Sequence, residues 1–241
     1  MAKLHGERPI FCYHKVGPLS KEGRSLNVEP ETLSQQIDFF KRRGYQFIRA
    51  CDLSKPWPKR AICLTFDDGY QSTLTYGLEM LTKHQVTASI YVVPNYVGKK
   101  SSWKNASPRP LASWATLKLA QNQGIEIANH THTHPYLSEL SLDQQVEEIT
   151  KAHQILTEQG IVSDSVCFPY GFFDSNTLNA LRLTNYSIGL GLSRRRATQK
   201  DNLLQLPRIV IRNSDKLLLL LYTLYLRPHL HRFHYRPHYI P

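Results

Sequence analysis

Apolar and polar positions along the chain follow two alternating periods. Short runs rich in β-branched and aromatic residues recur at 9–16 (PIFCYHKV), 45–50 (YQFIRA), 61–66 (AICLTF), 87–93 (TASIYVV), 125–129 (IEIAN), 166–170 (VCFPY), 186–191 (YSIGLG) and 208–211 (RIVI), and each has the length of a strand. Between them the spacing lengthens to that of a helix. Residues 30–43 open on Pro30, a residue favoured in a first helical turn, and repeat Leu33, Ile37 and Phe40 on one side. Residues 142–158 repeat Leu142, Val146, Ile149, His153 and Leu156, and Gly160 is placed to stop that helix. Segments 74–84, 111–123, 175–184 and 214–226 read as helices on weaker patterns.

Alternation carried through eight strands predicts parallel pairing with helical crossovers, and so either a closed (β/α) barrel or a doubly wound sheet. Both solutions collect function at the C-terminal ends of the strands. Polar, ionisable residues stand at those ends. AICLTF runs into Asp67-Asp68-Gly69, IEIAN into His130-Thr131-His132-Thr133-His134, PIFCY into His14, and VCFPY closes on Pro169-Tyr170 before Gly171.

Composition narrows the classes. A chain of 241 residues with 41% hydrophobic content is long enough to bury a core as one large domain or two small ones, and no repeat, linker or clear break divides it. Cys12, Cys51, Cys63 and Cys167 form no CxxC pair, which argues against a cysteine-based zinc site or a disulfide framework. The net charge of +11 favours polyanions, but the basic clusters at 41–43, 99–100 and 194–196 lie apart and form no nucleic-acid motif, so no specific nucleic acid is expected. The N-terminus has no apolar leader, and the longest apolar stretch, 217–226, is half the roughly 20 residues a bilayer span needs. A cytoplasmic protein is therefore expected, one whose basic balance and tail would suit peripheral contact with an anionic membrane.

Three histidines two residues apart leave three readings open: a metal site, a proton-handling site or a polar turn. In a helical turn His130 and His134 would share a side with His132 elsewhere; in a continued strand all three would share a face. Asp67-Asp68-Gly69 fits a β-turn equally well, although a second adjacent carboxylate gains nothing in a surface turn unless a cation is near. Two histidines and an aspartate are a recognised zinc donor set that leaves one position open to water.

TFDDG at 65–69, HTHTH at 130–134 and FPYG at 168–171 together resemble motifs of the polysaccharide deacetylase family, the NodB-homology or carbohydrate esterase family-four domain. IFCYHKVG, VEPETLSQQIDFFKRRGYQFI and LPRIVI extend the likeness over about 9–213, nearest to short relatives of the biofilm poly-N-acetylglucosamine deacetylases. The resemblance implies an α/β fold, a distorted (β/α)7-type barrel as a single domain at 1–213, leaving a C-terminal helix and His/Arg/Tyr-rich tail at 214–241. It implies one divalent metal ion, zinc first, with cobalt, nickel or manganese as substitutes, held by Asp68, His130 and His134. Asp67 would be the base for a metal-activated water that attacks an N-acetyl carbonyl, and the Tyr170 N–H, beside Pro169, would meet the oxyanion. His14 is the candidate acid, Thr131 would orient the loop, and His132 falls on a variable position.

The chain also departs from the pattern. The third motif, usually R-x-P-[YF], reads Cys167-Phe168-Pro169-Tyr170, so the arginine expected to hold the base is missing. The Asp-Trp and L-x-H motifs are absent as well, leaving His229, His231 and His234 as substitutes for His14. The function expected is hydrolytic removal of N-acetyl or other N-acyl groups from an amino-sugar glycan. The alternatives are a glycolipid deacylase or deformylase, and a degenerate barrel that only binds glycan.

Overall fold

A computed structural model describes residues 7–103, 106–213, 215–222 and 224. All eight apolar runs form strands: β1 Ile10–Tyr13, β2 Gln46–Ile48, β3 Ala61–Phe66, β4 Ser89–Val92, β5 Glu126–Asn129, β6 Ser165–Cys167, β7 Ile188–Ser193 and β8 Leu206–Val210. Pairing is parallel throughout and runs β1-β3-β4-β5-β6-β7-β8 before returning to β1. Seven strands therefore close the barrel. β2 stands outside the ring: it pairs with Ala61 to Cys63 of β3, while Cys63 is already opposite Ile10 on its other edge.

Helices fill the crossovers. They are α1 Pro30–Arg42, α2 Leu78–His84, α3 Trp114–Asn122, α4 Leu142–Glu158 and α5 Ser175–Leu183, with α6 Leu217–Leu221 after the last strand. Between β7 and β8 the chain returns instead through a short bridge, Ala197–Thr198 against Glu7–Arg8, and a 3₁₀ turn at Leu203–Gln205. Leu220 and Leu224 pack into the core cluster that also holds Leu33, Ile37 and Phe40 of α1. The histidine-rich tail at 225–241, with His229, His231 and His234, lies outside the described residues. No helix among the described residues is long and apolar enough to cross a membrane.

Strand parity sorts the side chains. On β3, Ile62, Leu64 and Phe66 join the outer core under the helices, while Cys63 joins the inner cluster with Ile10, Tyr91, Ala128, Cys167 and Leu206. Because side chains alternate, Thr65 and Asp67 follow Cys63 inward, Cys12 and His14 follow Ile10, His130 follows Ala128, and Arg208 follows Leu206. The residues that start three strands, Ser89, Glu126 and Ser165, form a polar floor. The Glu126 carboxylate accepts from the Ser89 hydroxyl at 2.6 Å, the Ser165 hydroxyl at 3.1 Å and the Cys51 N–H at 3.1 Å.

Two sequence readings shift. The run 166–170 does not stay extended, because Pro169 lacks an N–H for the ladder and Pro169–Gly171 turns into a 3₁₀ segment after Cys167. On α4 the predicted length holds, but the buried stripe is Gln145, Ile149, Ala152 and Leu156, and His153 is exposed. Gln145 escaped the apolar pattern because its amide is buried by bonding the Leu140 carbonyl and Asp174.

Candidate active site

The C-terminal mouth of the barrel brings together every described residue singled out for chemistry except His132. Asp67 and Asp68 leave β3, His130 and His134 leave β5, Pro169 and Tyr170 leave β6, and His14 leaves β1. Asp67, Asp68, His130 and His134 are buried, while His14 is half-buried.

His130 Nε2 and His134 Nε2 lie 3.3 and 3.2 Å from the same oxygen, Asp68 Oδ1. The loop that achieves this is neither of the two geometries considered from spacing. Thr131 and His134 both take left-handed backbone (φ 65° and 66°), as do Asp68 (73°) and Tyr170 (58°). Four of the seven described non-glycine residues with positive φ thus sit in this one site, where strained backbone of about 1–3 kcal/mol per residue must be held by its surroundings. The holding is visible. Glu148 of α4 accepts from the Thr133 N–H and hydroxyl at 2.8 and 2.7 Å, the Asn129 side chain accepts from the Thr131 N–H at 2.7 Å, and the Thr131 hydroxyl accepts from the His134 N–H at 3.2 Å.

The donor set fits a divalent cation. His130 Nδ1 stands 2.8 Å from the Cys167 carbonyl, which can only accept, so Nδ1 carries a proton and Nε2, which faces Asp68, is the nitrogen available to a cation. Asp68 Oδ1 is buried and receives no hydrogen bond. Two imidazole nitrogens and a carboxylate oxygen converge, these ligand atoms lying within 4.8 Å of one another, and buried polar atoms do not ordinarily stay unpartnered. Burial pushes the Asp68 pKa up, but the two imidazoles outweigh it and hold that carboxylate well below its ordinary range. His130 is raised, because Asp68 and Asp67 outweigh its burial, whereas burial prevails for His134 and lowers it. His132 is half-buried, belongs to none of the metal-competent groups, and presents its backbone carbonyl to the Asn95 N–H.

Asp67 is not a free carboxylate, and the arginine that the third motif lacks is present elsewhere. Arg208, at the centre of β8 and fully buried, donates from Nη1 to Asp67 Oδ1 at 2.7 Å and from Nη2 to Oδ2 at 2.8 Å. The Cys12 and Cys167 thiols add donors to Oδ2 at 3.2 and 3.4 Å. Burial favours the neutral acid here, but the guanidinium prevails and keeps Asp67 far below the usual carboxylate range. The signal was in the sequence: a single charge amid the apolar run LPRIVI, at the parity that faces the barrel interior.

His14 shares a cluster with Cys12 and Asp67, all donor atoms within 4.8 Å, and burial lowers its pKa against the pull of both aspartates. Aromatic rings wall the other side. Trp103 stacks on His134 at 4.2 Å and Tyr136 on Tyr170 at 3.9 Å. Neither Trp103 nor Tyr136 carried a signal in the sequence, since loop conformation alone brings them in.

The polysaccharide deacetylase family model matches residues 54–189. A poly-β-1,6-N-acetyl-D-glucosamine N-deacetylase of Staphylococcus aureus (strain MRSA252) is 22% identical over 207 residues, 80% of this chain and 70% of that protein. Among solved structures, the Streptococcus pyogenes deacetylase PplD, in complex with acetate, superposes with a TM-score of 0.78 at 25% identity, covering 90% of this chain and 98% of that one. IcaB from Ammonifex degensii superposes at 0.74 with 21% identity, over 89% and 95% of the two chains. Fold, site and family match coincide: the chain belongs to the polysaccharide deacetylase family and is a hydrolase of linear, non-peptide carbon–nitrogen bonds.

Proposed function

We propose that the protein removes N-acetyl groups from an amino-sugar glycan with the help of one divalent metal ion, zinc in the first instance, held by Asp68, His130 and His134. The observation that carries this reading is the convergence of two imidazole nitrogens on an otherwise unpartnered Asp68 oxygen, beside a second aspartate held by an arginine. The Staphylococcus relative is named for this reaction on poly-β-1,6-N-acetylglucosamine, and the PplD structure contains acetate, the product such a hydrolase releases.

Asp67 takes a proton from the attacking water. Held so acidic by Arg208, it is a weak base, and its value lies in fixed position rather than in proton affinity. A bound divalent cation would supply what that base lacks, lowering the pKa of a water towards about 7 and polarising the acyl oxygen. The Tyr170 backbone N–H donates to the oxyanion from a turn whose left-handed residue fixes its direction. His14 delivers a proton to the departing amine. The thiols and Arg208 keep Asp67 Oδ2 occupied, so the proton goes to Oδ1, which accepts only one hydrogen bond in the resting site.

The test is acetate release from N-acetylglucosamine oligomers by zinc-loaded protein. Asp67→Asn should lower turnover by about 10²–10⁴-fold while zinc still binds. Undiminished turnover in that variant, or in the chelated parent, would overturn the assignment.

A further inference from the structure

Beside the site lies a cleft of about 270 Å³. His134 and Tyr170 belong to both, so whatever occupies the cleft adjoins the reacting group. Trp103, Tyr96 and Tyr136 give it flat apolar walls, and their rings are fixed by stacking: Trp103 lies at 22° to His134, and Tyr136 at 9° to Tyr170. Such faces suit the C–H surface of a sugar ring, and they also attract a cation.

Among the described residues, the lining of the cleft carries the opposite sign to the chain as a whole. The chain carries +11, yet the described residues that line the cleft include no lysine or arginine, and Glu139 is their one carboxylate. Glu139 ends the short turn Leu137–Glu139 and is exposed; among the described residues its carboxylate has no hydrogen bond or ion pair. Some surface carboxylates are paired, as Asp38 is with Arg42, Glu147 with Lys151 and Asp201 with Arg195, while others, such as Glu31 and Glu158, stand alone among the described residues like Glu139; what sets Glu139 apart is its place on the aromatic cleft.

We propose that this cleft is a subsite for an amino sugar whose nitrogen is already free and protonated, with Glu139 as its counter-charge. The inference deepens the deacetylase reading and rests on it. An N-acetylated ring would gain the aromatic faces alone. A ring with an ammonium group would gain those faces, an ion pair and a cation–π contact. The product of one turnover is then a better neighbour for the next than untouched glycan. Deacetylation should accordingly spread in blocks along a chain rather than fall at random. Phosphorylated or uronic-acid glycans would meet repulsion at the same place.

Two measurements at low ionic strength test this. In calorimetry, a β-1,6-linked glucosamine tetramer with all amines free should bind the parent about three-fold more tightly than Glu139→Gln. A fully acetylated tetramer should bind both proteins alike, and 1 M salt should erase the difference, because screening acts over about 3 Å there. In kinetics, the zinc-loaded parent should favour a hexamer containing one glucosamine over the fully acetylated hexamer by about three-fold in kcat/KM, and the variant should lose that preference. Equal binding of the glucosamine tetramer by parent and variant would overturn the proposal, as would a loss shared equally by both tetramers. Charge-dependent binding without acetate release from either hexamer would uphold the subsite and overturn the catalytic reading instead.

Discussion

Arg208 and Asp67 are the residue pair on which the site most depends. The two lie 141 positions apart in sequence, both buried, and the ion pair is made by a planar fork that a lysine cannot reproduce. Arg208→Met should cost about 3–5 kcal/mol, since it strands a buried carboxylate, and Arg208→Lys should recover only part of that loss in urea unfolding. The pH dependence of the loss follows from its sign. The folded Asp67 pKa lies below the unfolded value of about 3.9, so its stabilisation is complete above that value and lost as pH falls through the folded one. In Arg208→Met burial would prevail and the folded pKa would rise. The stability gap between parent and variant should therefore narrow as pH falls from 6 to 3; a constant gap would contradict this origin. At this scale much was legible. Asp67, Asp68, His130, His134, His14 and Tyr170 are marked by motif and strand end, and the structure brings them together. Arg208 was legible in principle from parity within LPRIVI, but a third motif searched at its usual place suggested that no arginine was there.

Among elements, the strand starts and the helix faces show what patterning can and cannot reveal. All eight strands announce themselves through apolar runs, because helices cover their outer faces and the inner faces are filled. Polar burial is hidden from the same reading. Glu126 begins β5 inside an apparently alternating run, yet its carboxylate joins β4, β5, β6 and the turn at Ala50–Ser54. Glu126→Ala would leave two hydroxyls and an N–H without their acceptor, and should lower stability by about 3 kcal/mol with kcat little changed. Thermal unfolding beside acetate release checks both halves. Gln145 on α4 repeats the lesson, since its buried amide nitrogen, bonded to Leu140 and Asp174, takes an inward place, and the stripe moves by one position at Val146 and His153 while Ile149 and Leu156 stay. The loop at 130–134 was beyond the sequence for another reason. Its left-handed turns are imposed by Glu148 and Asn129, partners that only the packed α4 and β5 supply.

For the molecule as a whole, the strained mouth and the cation that fits it should be coupled. A ligand that binds only the folded state at a hundredfold excess over its Kd adds about 2.7 kcal/mol, or roughly 5–10 °C in Tm for a chain of this size. Zinc or cobalt added to chelated protein should produce a rise of that order, and His134→Ala should abolish it. A rise retained in that variant would place the ion elsewhere. The barrel class was readable from alternation down to two candidates, and the seven-strand closure entered through the family likeness rather than through periodicity. What periodicity could not say is that β2 stands outside the ring, which depends on how Cys63 shares its two edges.

The family match runs from 54 to 189, whereas His14 stands before that interval and Arg208 after it. A fragment trimmed to those limits would retain the three candidate metal ligands but discard β1, β2, β8 and all but the first two residues of β7, leaving three of the ring's seven strands missing or cut. It would look complete to a motif search and still leave the Asp67 carboxylate without the guanidinium that holds it. Any minimal version of this enzyme must therefore reach from Ile10 to Val210, however small the portion that bears the recognisable signatures.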